Sequence, residues 1–107
     1  MEKHLLDALD LLAEDYVITK EDYAAIKNAA ETDFMPSADE LSNYDSILAD
    51  ELWYNKGIIK LIEAKLKAGT DDEKLLGELA SAKDNIKEKI DNYESWQMVI
   101  SAKKAMV

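Results

Sequence analysis

Between Pro36 and Gly69 the chain runs for 32 residues with no proline and a single glycine, Gly57. Strands average about five or six residues and need turns between them, so a sheet fits this stretch poorly. A helix absorbs all of it, with one internal glycine costing about 1 kcal/mol. The stretch also carries its own punctuation. Ser37 is followed three residues later by Glu40, a capping box directly after Pro36, and Gly69 is the natural residue to end the helix.

Past the glycine, Thr70 and Glu73 read as another capping box. A last helix is therefore expected from about Asp71 towards the C-terminus, with Leu75, Leu79, Ala82, Ile86, Ile90, Tyr93 and Ile100 on one stripe. Two such helices joined at 69–70 make an antiparallel hairpin with arms roughly 45–50 Å long. Upstream, Leu5, Leu9, Leu12 and Tyr16 share a narrow arc with Asp7, Asp10 and Glu14 opposite, which predicts an amphipathic helix from Lys3 to Asp15. Thr19, with Asp22 three residues on, predicts the cap of a second short helix reaching Glu31. Ile18 and Tyr23 are placed to staple its start.

The expected fold is all-α and a single domain over 1–107. A short acidic N-terminal helical pair (1–36) packs on a long antiparallel helical hairpin (37–107, turn at 69–70), four helices in all. Folding the hairpin at Gly69 sets Gly57 at the level of Ala82 and Gly77 at the level of Ile62. Both glycines are expected to let the arms approach closely. One edge of the long helix carries Leu41, Leu48, Leu52, Ile59 and Leu66, which one partner helix covers. The other edge, Ile47, Tyr54, Ile58 and Leu61, needs a further neighbour, either the N-terminal helices or a second copy in a homodimer. Trp53 falls about 100° outside that arc, so it is either covered by the N-terminal helices or exposed for a partner. Of the four aromatic residues Trp53, Tyr54, Tyr93 and Trp96, core packing is the plainer reading, with a ligand pocket or binding hot spot the alternative.

Chemistry has little to work with. Cysteine is absent, which removes disulfides, thiolate metal sites and thiol nucleophiles. His4 is the sole histidine and lies near a terminus, where no third group holds it for catalysis. No phosphate-binding loop, dinucleotide fingerprint, EF-hand loop or metal-spaced histidine pair occurs. The expectation is no enzyme, no cofactor and no metal. The longest apolar run is four residues, Tyr23 to Ile26, against about twenty for a membrane span, and the N-terminus is unlike a targeting peptide. A cytoplasmic protein without membrane contact is expected.

Charge is the remaining signal. The net charge is −10, and residues 1–52 hold three lysines against fourteen acids, a balance of −11. Residues 53–107 hold ten lysines against nine acids, a balance of +1. Arginine, the preferred residue for phosphate and base recognition, is absent, so direct nucleic-acid binding is not expected. The acidic excess is more than solubility requires, since net charges of about 2–8 suffice for a small domain. It points to a protein-binding face of Asp7, Asp10, Glu14, Asp15, Glu21 and Asp22. The expected function is a non-enzymatic acidic helical protein that binds a basic protein surface as inhibitor, adaptor or nucleic-acid mimic. The arginine-free helical composition would suit a phage or mobile-element protein. The alternative is a self-associating scaffold or connector that uses the second edge of the long helix.

Overall fold

The computed structural model describes residues 18–69 and 71–107, and these are all-helical, 85% of them in helix with no strand among them. Three helices follow in order: α1 (Lys20–Glu31), α2 (Ala38–Ala68) and α3 (Glu73–Ala105). The helix expected over residues 3–15 lies outside the described residues, as does the cap expected at Thr70.

Local chemistry sets most of the boundaries. The Thr19 hydroxyl accepts from the Asp22 N–H at 3.0 Å and starts α1. Ser37 and Glu40 form the full reciprocal box at the start of α2: the Glu40 N–H donates to Ser37 Oγ at 3.2 Å and the Ser37 N–H to Glu40 Oε1 at 3.3 Å. Gly69, at φ 80°, ends α2 in backbone space that suits glycine. The last helix departs from expectation. It starts at Glu73, two residues later than the sequence suggested, and its cap is Asp72, whose Oδ1 accepts from the Leu75 N–H at 3.2 Å. An aspartate at this position brings both an acceptor and a negative charge to the positive end of the helix dipole.

The long helices α2 and α3 pack along one another in opposite directions. Asp45 of α2 faces Gln97 of α3 and, further along, Lys56 faces Glu94. Their seam is a repeat of alternating three- and four-residue steps. On α2 it runs Leu41, Tyr44, Leu48, Glu51, Asn55, Ile58, Ile62, and all seven are buried. On α3 it runs Leu75, Leu79, Ala82, Ile86, the half-buried Lys89, Tyr93, Trp96 and Ile100, with Ile90 buried beside it. Residues three and four apart stack on one helical face, so the seam stays closed along its length. The short α1 lies chiefly on α3 and adds Ile26 and Ala29 to the core. The molecule is accordingly long and thin, 54 × 21 × 18 Å.

The end of α1 is fixed from a distance. The Lys103 ammonium, in the last turn of α3, donates to the carbonyls of Ala29 (2.6 Å), Thr32 (2.9 Å) and Phe34 (2.6 Å). It thereby satisfies carbonyl oxygens that the end of a helix and a proline-containing loop would leave without partners.

The expected close approach at the glycines does not occur. Among the described residues, a Cβ placed on either Gly57 or Gly77 meets nothing within 4 Å, and both glycines are exposed. Pairing positions across a hairpin fixes how far along the arms two residues lie. It does not fix which way each one faces, and Gly57 faces away from α3.

Candidate functional site

The outer face of α2 carries the bulkiest exposed hydrophobic side chain among the described residues. At roughly 100° per residue, Trp53 falls almost opposite the middle of the buried seam. It is 75% exposed, although indole is among the most costly side chains to leave in water. Its ring meets that of Tyr54, edge to face, with centroids 6.1 Å apart. One turn on is Gly57, and one turn further Leu61, 58% exposed. A bulky residue, a bare backbone and another bulky residue thus alternate along a single ridge. Over Gly57 lies an open hollow of about 520 Å³, lined among the described residues by Trp53, Tyr54, Ile58 and Leu61 and flanked by Lys56 and Lys60. Lys56 reaches Glu94 of α3 at 3.4 Å, with both side chains more than half exposed, so the pair is weak. Of the edge expected to seek a further neighbour, Ile58 is buried, Ile47 and Tyr54 are half-buried and packed against the core, and only Leu61 stands out.

Of the expected acidic face, Glu21 and Asp22 are described, and Asp7, Asp10, Glu14 and Asp15 lie outside the described residues. Glu21 is exposed and Asp22 half-buried, both in the first turn of α1, where the helix dipole stabilises them. Glu31, Asp33, Asp39 and Glu40 extend the exposed acids towards the start of α2. Glu40 is committed locally. Its bonds to the Ser37 hydroxyl region hold its carboxyl below the ordinary carboxylate value.

A third feature lies inside. Glu51 and Asn55, neighbours one turn apart in the α2 seam, are 2% and 1% exposed. Asn55 Nδ2 donates to the Glu51 carbonyl at 2.6 Å and approaches Glu51 Oε2 at 3.4 Å. Among the described residues, Glu51 Oε1 and Asn55 Oδ1 find no hydrogen-bond partner. Burial pushes the Glu51 carboxyl up, against the opposing pull of the Lys89 charge and the Ile18 N–H. Tyr93, also buried, is pushed up to about 12, first by burial and then by the charge of Glu51. Its ring meets Trp96 at 5.6 Å, and Tyr23 of α1 meets the other side of the cluster, 5.4 Å from Trp96. Tyr93 and Trp96 are thus core residues and Trp53 is not.

Glu51 and Asn55 escape a reading that sorts polar side chains to the outside, yet the three-and-four spacing from Leu41 to Ile62 already places them inward. Chemically the cluster is one carboxyl, one amide and a lysine charge, with no nucleophile beside a base. Among the described residues no group of three or more His, Cys, Asp or Glu is placed to hold a metal ion. No helix among them is long and apolar enough to cross a membrane. No protein-family model matches this chain, and no significant match to it was found among the curated proteins or the solved structures.

Proposed function

We propose that this chain is a non-enzymatic, acidic helical protein that binds a basic protein surface, acting as inhibitor, adaptor or nucleic-acid mimic in the cytoplasm. The observation that carries this reading is the separation of charge: −11 over residues 1–52 against +1 over residues 53–107. Glu21, Glu31, Asp33 and Asp39 present part of that excess to solvent. In this reading residues 3–15 form a fourth helix that lies with α1 on the α2–α3 hairpin and turns Asp7, Asp10 and Glu14 outward. Acids there contribute nothing to a core and repel one another, but they steer a lysine- and arginine-rich partner into register and speed encounter.

The test is capture of partners at low and high salt, followed by neutralisation of the acids. Asp7→Asn, Asp10→Asn and Glu14→Gln together should leave helicity intact, slow association with the captured partner severalfold and flatten its salt dependence. Unchanged affinity and salt slope would make these acids a solvated face only. A second reading, self-association, is favoured by one observation, the 75% exposure of Trp53 on the outer face of α2.

A further inference from the structure

The outer face of α2 carries a second seam. Ser46, Asp50, Trp53, Gly57, Lys60 and Ala64 follow one another in steps of four and three, as the core residues do, and every one is exposed. They therefore line up along the side of the helix that faces away from α3. Read backwards, the series is Ala64, Lys60, Gly57, Trp53, Asp50, Ser46. Laid antiparallel against itself, it brings Trp53 opposite Gly57, Asp50 opposite Lys60 and Ser46 opposite Ala64, each pair occurring twice about a twofold axis. Every pairing is complementary: the largest side chain meets bare backbone, acid meets base, and small meets small. We infer that a second copy of this chain docks antiparallel on the outer face of α2, with Trp53 of each copy seated in the hollow over Gly57 of the other.

Charge selects this occupant and this direction. A parallel alignment puts Asp50 on Asp50, Lys60 on Lys60 and one indole on the other, with an unfilled gap at Gly57. The antiparallel alignment turns both charged positions into attractive pairs, and it opposes the two helix dipoles. It also explains together the exposed indole, the open hollow of about 520 Å³ beside it and the glycine that nothing among the described residues requires. Isologous pairing of this kind closes at two copies. This dimer is independent of the acidic face. It would, however, present that face twice, which strengthens attachment to a partner with repeated basic sites.

Sedimentation and light scattering over a concentration series test the inference. Moderate salt is needed, because a net charge of −10 per chain resists association when unscreened. Wild type should pass from monomer to dimer. Asp50→Lys alone or Lys60→Asp alone places like charges opposite each other and should raise the dissociation constant at least tenfold. Mixing the two single variants should restore dimers as a heterodimer, in which both contacts become Lys–Asp pairs, and the double variant should dimerise by itself. Misfolding cannot produce that rescue. Because the chain has no cysteine of its own, a mixture of Ser46→Cys and Ala64→Cys chains should cross-link on oxidation to one heterodimeric species. Ser46→Cys alone should not cross-link. A wild type that stays monomeric at millimolar concentration, single charge variants that dimerise like wild type, or cross-linking of Ser46→Cys alone would overturn the inference. None of these results bears on capture of a basic partner, which is read with the acid-neutralised variant instead.

Discussion

The Lys103 ammonium donates to the Ala29 carbonyl at 2.6 Å, across 74 positions of sequence. With the carbonyls of Thr32 and Phe34 it holds the end of α1 and the following loop to the last turn of α3. Charged donors to carbonyls contribute more than neutral ones, so Lys103→Met, which keeps most of the apolar stem, should cost about 2 kcal/mol by chemical denaturation. Lys103→Arg should rescue little, because a planar guanidinium cannot point at three converging oxygens as an ammonium does. A loss within experimental error would mean that water replaces the lysine without penalty.

Glu51 and Glu40 should show opposite dependence on pH. Burial raises the Glu51 carboxyl above 4.5, so the folded chain holds that proton more tightly than the unfolded chain does. Stability from this group is greatest below 4.5 and falls as pH rises towards the folded value, above which the penalty is complete. Glu51→Gln should therefore be more stable than wild type at neutral pH, with the difference fading in acid. Glu40 is lowered by its bonds to Ser37, so its contribution is present above 4.5 and is lost as pH falls through the folded value. Glu40→Gln should cost stability near neutrality and little in acid. Denaturation curves across the acid-to-neutral range check both signs.

Gly57 gives a prediction with two signs. It is exposed within α2 and a Cβ there has open space, so Gly57→Ala should stabilise the dilute monomer by about 1 kcal/mol. The same methyl would occupy the space assigned to a second copy's indole, so self-association should weaken. Melting curves in dilute solution and sedimentation of concentrated samples read the two effects separately.

The caps at Ser37 and Asp72 sit at opposite ends of the α2–α3 pair. Ser37→Ala and Asp72→Ala should each cost about 1 kcal/mol. Because they lie at opposite ends of the pair, the double variant should lose the sum to within about 0.5 kcal/mol. A silent Asp72→Ala would return the start of α3 to Thr70.

What the sequence disclosed follows from the range of the forces involved. Thr19, Ser37 and Gly69 could be assigned because each acts within four residues of itself. The start of α3 is not decided by local signals, because Thr70, Asp71 and Asp72 are all competent caps in a row. Pairing across the hairpin gives Gly57 its level but not its facing, which is away from α3. Trp53 lay outside every apolar arc, and only the packed molecule could show whether another helix covered it. The acidic excess is visible in the bare sequence, but charge names the sign of a partner and not its shape.

The buried pair Glu51 and Asn55 bears on how the two long arms find each other. A seam of leucine and isoleucine alone packs almost equally well when one arm slides seven residues past the other, since the pattern repeats. The pair breaks that equivalence. It leaves only one alignment in which the carboxyl keeps the Lys89 charge and the Ile18 N–H nearby. A slipped alignment moves it away from both. Replacing both residues with leucine should therefore raise stability or leave it unchanged, while doubling the amide resonances of α2 as more than one alignment becomes populated. The two polar residues act as the notch that tells two long rods where to stop sliding.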